Sequence, residues 1–360
     1  MTALGARIAV AIDAQGPMTI AQFMTMALLD PKDGYYATRD PLRVDFITAP
    51  EISQMFGELI GLWLAQAWTD QGRPARPLLV ELGPGRGTLM GDVLRALKLV
   101  PDLRGQIDVV LVEASPVLET IQQAALAHID VPIRSVASFD AVPADRPLFL
   151  IANEFFDALP IHQYVKTARG WCERMVTVDA EGALAFALSP VALPSTPPGR
   201  DDTPPGGVHE ISPAGAAVAE EIGHRIAAQG GAALIVDYGY DAPGFGETLQ
   251  AVAGHAFADV LDAPGTRDLS AHVDFNALAE AAVRGGASAS GPVEQGAFLT
   301  ALGIVARAER LARRGRWTGH PSEAPEVRRQ LERLILPEQM GRLFKALAIV
   351  PKGAPTPAGF

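Results

Sequence analysis

"LLVELGPGRGTLMGDVL", residues 78–94, is an apolar run carrying Glu81, followed by glycines at 83, 85 and 87 and then a segment of helical pattern. The stretch reads as strand, turn and helix. Glycines at alternate positions let the backbone turn tightly and let a bulky ligand lie against it. The free N–H groups and positive end of the following helix face the same spot. Such a turn suits a nucleotide or a carboxylate. The dinucleotide fingerprint G-x-G-x-x-G is not met, because Thr88 stands where its last glycine belongs. The P-loop, H-E-x-x-H and G-x-S-x-G patterns are absent, so phosphate, metal and serine hydrolysis have no motif. The alternative for the glycine turn is purely structural, a helix packed closely on a sheet.

Short β-rich runs recur beyond the turn: IDVVLVEA, VPIRSVAS, LFLIANE and AALIVDYG, the early ones separated by helix-like stretches at 88–98 and 116–127. Strands alternating with helices predict an α/β fold with a parallel sheet covered on both faces. Ahead of them, 4–14 and 20–29 read as amphipathic helices, the second with Thr19 as N-cap. Asp30 to Gly34 breaks the chain, and one longer helix is expected with Pro50 and Glu51 in its first turn. Between Ile161 and Gly230 the alternation lapses into an expected β-hairpin turning at Asp179 to Gly182, then a Pro/Gly-rich loop over 190–207. Helices near 274–284 and 295–313 and a closing strand LFKALAIV follow. The expected division is a helical region over 1–75, a sheet domain over 76–160 and 231–350, and an insertion over 161–230 that forms part of the substrate region.

The chain has 360 residues and a net charge of −11, which disfavours a broad grip on nucleic acid. No apolar run approaches the ~20 residues a membrane helix needs. The single cysteine, Cys172, excludes an intrachain disulfide and a cysteine-rich metal site, and no metal is expected. The opening residues make a poor signal or transit peptide, so a cytoplasmic home is the expectation.

Ligands of open α/β sheets sit at the carboxyl ends of the strands. Glu113 ends the second strand, where a carboxylate can accept the hydroxyls of a ribose, as readily from NAD as from another nucleotide. After LFLIA come Asn153, Glu154, Phe155, Phe156 and Asp157. Two carboxylates three residues apart beside two aromatics suit a planar cation such as guanidinium; a capped turn with core phenylalanines is the alternative. Asp237 and Tyr238 end another strand at the same edge, where Asp237 either steers a substrate or caps a turn. His272 is a candidate proton carrier near pH 7, or a structural hydrogen bonder.

The pattern E-x-G-x-G-x-G resembles motif I of the S-adenosylmethionine-dependent methyltransferases. More particular stretches, DPKDGYY (30–36), DFITAPEISQMFGELIG (45–61), VEASPVL (112–118), IANEFFDALPIHQY (151–164), LIVDYGY (234–240), TRDLSAHVDF (266–275) and QGAFLTALGI (295–304), resemble the MidA-like methyltransferases. That family includes the mitochondrial complex I assembly methyltransferase and bacterial relatives. The resemblance implies a seven-stranded, Rossmann-like class I methyltransferase sheet with an added helical N-terminal region and a β-containing insertion. It implies S-adenosyl-L-methionine as cofactor, held by Glu81, Gly83, Pro84, Gly85, Gly87, Glu113 and Asn153. In the mitochondrial member it implies symmetric dimethylation of an arginine in the 49-kDa core subunit of complex I, so a protein with an exposed arginine is the expected partner. The missing transit peptide favours a bacterial protein. The expected catalytic residues are Glu154 and Asp157 as a guanidinium clamp, with Asp237 or His272 as a proton route. A small-molecule methyltransferase, an assembly chaperone without turnover and, behind these, an NAD enzyme remain alternatives.

Overall fold

The computed structural model describes residues 2–38, 48–242, 246–254, 256–317 and 323–360. Of the stretches singled out above, Asp45, Phe46 and Ile47 lie outside the described residues. The chain divides into two compact units: Met1–Phe46, Asp157–Ala216 and Ala242–Asp274 form one, and Ile47–Phe156, Ala217–Asp241 and Phe275–Phe360 the other.

In the second unit seven strands form one sheet: β1 (Leu78–Leu82), β2 (Asp108–Val112), β3 (Ile133–Val136), β4 (Leu148–Asn153), β5 (Gly231–Tyr240), β6 (Ser288–Glu294) and β7 (Phe344–Val350). Their order is β6-β7-β5-β4-β1-β2-β3. The five strands from β1 to β5 run parallel, and β7 enters antiparallel between β5 and β6. Burial explains the choice of central strands. All of β1, β4 and β7 is buried, and such strands read as continuous apolar runs because both faces are covered. Leu82 is paired with Val112 on one side and Ala152 on the other. The residues that follow, Gly83, Glu113 and Asn153, therefore emerge at one sheet edge. Val236 lies beside Asn153, which brings Asp237 to that edge too.

The helix Gln54–Asp70 buries Phe56, Ile60, Trp63 and Leu64. It crosses the helix Thr88–Ala96 so closely that a Cβ on Gly57 would meet the Asp92 Cβ at 2.5 Å.

In the other unit Met18–Thr19, Gly170–Val178, His162–Thr167 and Val208–Ile211 pair in that order, with Leu184–Ala192 on Gly170–Val178. The expected hairpin turn is present. Asp179 Oδ1 accepts the N–H groups of Glu181 and Ala183, and Gly182 has φ +81°. Helices Ala3–Gln15 and Ile20–Leu29 supply Leu4, Ile8, Phe23 and Met24 to this core. Thr19 caps the second of them through a reciprocal bond with Gln22. A small sheet of Ala256–Ala258, Gln250–Ala253 and Asp268–Ser270 completes the unit.

Several elements depart from the sequence reading. The single helix expected from Pro50 is two, Ala49–Ile52 and Gln54–Asp70, because Ser53 is extended and its Oγ accepts the Met55 N–H. Gly303, at φ +92°, likewise divides the helix expected near 295–313 into Gln295–Ala301 and Ile304–Trp317. A 17-residue helix, Pro213–Gln229, stands where the alternation was read as lapsing. Its alanine-rich sequence has high helix propensity, Ser212 Oγ accepts from the Gly215 N–H, and Gly230 ends it at φ +78°. The helix Glu323–Ile335 and strand β6 are further additions.

Candidate active site

The glycine turn has the geometry its sequence demands. Gly83, Gly85 and Gly87 have φ of +60°, +53° and +82°, a region other residues enter only at a cost. The Gly83 N–H donates to the Val112 carbonyl at 3.1 Å and the Gly87 N–H to the Pro84 carbonyl at 2.8 Å, fixing the loop to β2 and to itself. Gly87 opens the helix Thr88–Ala96. A Cβ on Gly83 would lie 3.1 Å from the Phe155 ring, so the aromatic segment after β4 lies against the turn.

Two acids, one buried and one half-buried, stand beside it. Glu81 is 2 % exposed, and burial first, then the charge of Glu113, pushes its carboxyl up to about 8. Glu113 is also raised by burial, an effect opposed by donated hydrogen bonds. Its Oε1 accepts the Ser115 N–H at 2.8 Å and its Oε2 accepts Gln122 Nε2 at 3.0 Å. The same Gln122 amide donates to the Gly85 carbonyl at 2.8 Å. Gln122 is wholly buried and was not foreseen. It sits on the helix Pro116–Leu126, and hydrophobic periodicity does not reveal a polar residue that turns inward.

Three buried acceptors at this sheet edge have no donor among the described residues: Glu81 Oε2, Gln122 Oε1 and Asn153 Oδ1. Buried acceptors are rarely left so. A ligand bringing an ammonium and hydroxyl groups satisfies them, and the aminoacyl-nucleoside S-adenosylmethionine is of that chemistry.

The PEISQ and NEFFD stretches meet at one residue. Glu154 has φ +51°, unusual for a side chain of its size and typical of constrained sites. Its Oε1 accepts the Ala49 N–H at 3.1 Å, at the start of the helix Ala49–Ile52, and Asn153 Nδ2 at 3.3 Å. Glu51 on that helix accepts the Thr88 hydroxyl next to the glycine turn, a second contact not foreseen. Asp237 is wholly buried. Its Oδ2 accepts the N–H groups of Phe155 and Phe156 at 3.1 and 3.0 Å, and its Oδ1 that of Tyr238 at 2.9 Å. This carboxylate shapes the turn after β4. Phe156 is core at 4 % exposed, whereas Phe155 is half-buried and edge-on to it.

The other two expected catalytic residues belong to the other unit. Asp157 is buried, and its carbonyl accepts the Ala271 N–H at 2.9 Å. Nearby, the Tyr36 hydroxyl donates to Asp268 at 2.8 Å; burial and the charges of Asp268 and Asp157 raise that phenol well above its ordinary value. His272 is held through its backbone N–H by the Thr248 hydroxyl, which in turn bonds the buried Glu210. Burial lowers His272, with Glu210 opposing, so its imidazole is neutral at pH 7.

A family model of S-adenosyl-L-methionine-dependent methyltransferases matches residues 59–293. The chain is 39% identical to the bovine (Bos taurus) mitochondrial protein arginine methyltransferase NDUFAF7, over 94% of this chain and 81% of that one. The human (Homo sapiens) protein of the same name is 38% identical over 94% and 81%, and the Drosophila melanogaster homologue 36% over 93% and 82%. Among solved structures, a Burkholderia thailandensis protein bound to S-adenosyl-homocysteine superposes with a TM-score of 0.83 at 29% identity, covering 99% of this chain and 94% of that one.

Proposed function

Since the chain belongs to the S-adenosyl-L-methionine-dependent methyltransferase family whose model it matches, we propose that it is a protein arginine methyltransferase. The observation that carries this reading is the extent of the likeness. Relatives named as protein arginine methyltransferases align over 94% of the chain, far beyond the glycine turn. From the MidA-like motifs of the sequence we extend the reading to a 49-kDa-type subunit of respiratory complex I as acceptor, and we place the chain in a bacterial cytoplasm, where the lone buried Cys172 stays reduced.

When bound, the cofactor supplies a sulfonium-activated methyl group. Gly83, Pro84, Gly85 and Gly87 give it a backbone cradle, Glu81 and Asn153 offer acceptors to its ammonium end, and Glu113 offers its carboxylate to the ribose hydroxyls. Gln122 holds Glu113 and the turn in register. Arginine is a poor nucleophile because its guanidinium is charged and delocalised. The chain's part is therefore to orient that group and to take up the proton it releases. Glu154 offers the orienting carboxylate in the sheet-bearing unit. A neutral His272 can accept a proton. We assign Asp237 to positioning, since three amide N–H groups already occupy its oxygens.

The test is calorimetric titration with S-adenosylmethionine of the wild type and of Gly85→Val, followed by mass spectrometry of a core-subunit homologue incubated with each. Saturable binding by the wild type alone, with methylarginine formed only by it, supports the proposal. Binding without methylarginine in any offered protein transfers the reading to a small-molecule methyltransferase.

A further inference from the structure

The N-terminal edge of the sheet, opposite the glycine turn, carries a second cleft of about 500 Å³, within the size range of small-molecule sites. The starts of three neighbouring strands build it. Arg76 precedes β1 by two residues, Asp108 opens β2, and Arg146 precedes β4 by two; Arg104, Gln106 and Asp130 complete the polar lining. Parallel strands bring these positions together because β2, β1 and β4 start in register, with Leu78 paired to Asp108 and to Leu148.

The charges in this cleft are unequally used. Arg146, with 12 % of its side chain exposed, is joined to Asp108 at 2.5 Å and flanked by Asp145 at 3.8 Å. No such partner meets the other two arginines among the described residues. Arg104 Nε is buried with no acceptor. Arg76 has its backbone at φ +51°, and its N–H donates to Gln106 Oε1 at 3.0 Å, so the segment that carries its guanidinium is pinned to the cleft wall. With Asp108 held by Arg146, the remaining carboxylate is the exposed Asp130. A chain of net charge −11 thus concentrates two uncommitted guanidinium groups in one concave site. Guanidinium is a planar fork of donors that matches phosphate oxygens bidentately, and a buried donor without an acceptor is a group that a ligand satisfies.

We infer that this cleft binds a phosphate-bearing small molecule, its phosphate shared between Arg104 and Arg76. The site lies at the opposite end of β1 from Glu81, so it is separate from the donor site and independent of the arginine reading above.

The experiment is calorimetric titration of the full chain with inorganic pyrophosphate at low ionic strength, with and without saturating S-adenosylmethionine. One saturable event is expected, unaffected by the second ligand. It weakens about tenfold or more in Arg104→Gln, and severalfold in Arg76→Gln, whose exposed side chain can be replaced without disturbing the core. Arg134→Gln removes the same charge from an exposed position of β3 outside the cleft and leaves the affinity unchanged. The inference is overturned if the wild type does not bind, if Arg134→Gln weakens binding as much as Arg76→Gln, or if S-adenosylmethionine displaces pyrophosphate. Failure of S-adenosylmethionine to bind at all bears on the proposed function and not on this cleft.

Discussion

Gln122 and Glu113 are joined by a side-chain hydrogen bond of 3.0 Å, and the same amide nitrogen reaches the Gly85 carbonyl at 2.8 Å. One wholly buried side chain thereby ties the acid at the end of β2 to the turn at the end of β1. Replacing it by leucine keeps the volume but leaves Glu113 a donor short. We expect Gln122→Leu to weaken S-adenosylmethionine binding by about tenfold, roughly 1.4 kcal/mol for one hydrogen bond to a charged group. A double-mutant cycle with Glu113→Gln should be non-additive, because the two side chains act on the same contact. Additive losses in calorimetry would separate Gln122 from the donor site.

The buried carboxyl of Glu81 gives a pH signature. Its folded value of about 8 lies above the ordinary 4.5, so the folded chain keeps a proton that the unfolded chain gives up. This contribution to stability is fully present below pH 4.5 and is lost as pH rises toward 8. Glu81→Gln should therefore unfold at higher denaturant than the wild type at pH 8, with the gap closing by pH 5. At pH 7, binding an ammonium beside Glu81 should expel its proton. Calorimetry in buffers of different ionisation enthalpy reads that release in the wild type, and it should vanish in Glu81→Gln.

Gly83 is restricted twice, by φ +60° and by the Phe155 ring 3.1 Å from where a Cβ would sit. Gly83→Ala should cost about 1–2 kcal/mol from the backbone term and push Phe155 aside, lowering donor affinity. Adding Phe155→Leu should relieve the contact but not the backbone, so affinity recovers only in part. Full recovery in the double variant would mean that the turn tolerates a side chain.

Asp237→Asn distinguishes positioning from proton transfer. An amide in place of the carboxylate turns an NH₂ group toward one set of the amide donors, leaving them unmet. We expect a loss of about 2 kcal/mol or more in urea unfolding and a lower turnover that follows the loss of the folded turn. Unchanged stability with abolished turnover would identify a proton carrier instead.

Strands β1, β2, β4, β5 and β7 were legible because they are largely apolar runs, whereas β6, SASGPVE, carries no such run; the residues at the glycine-turn edge follow from which positions come just after the legible strands. Thr19 and the Asp179 to Gly182 turn were equally readable, since each rests on contacts within a few residues. The misses arise where a local bond competes with a longer pattern, or where a contact joins residues remote in sequence. Ser53 interrupts an otherwise continuous helical periodicity by bonding its own neighbour. The pairings Glu154 with Ala49 and Glu51 with Thr88 link residues 105 and 37 positions apart, and no spacing rule connects them. Asp237 was recognised as standing at the right edge, but its choice between steering and capping depends on which amides surround it.

The position of β7 links the fold to the order of synthesis. Residues 344–350 lie between β5 and β6, so the glycine turn leaves the ribosome more than 250 residues before the strand that completes its sheet. Until then Ala233 to Tyr238 present an open edge whose N–H and C=O groups await a partner, the kind of surface that recruits foreign strands. A nascent chain stalled before Phe344 carries its whole glycine turn and still presents an uncovered strand edge, so arrest at that point exposes it to aggregation.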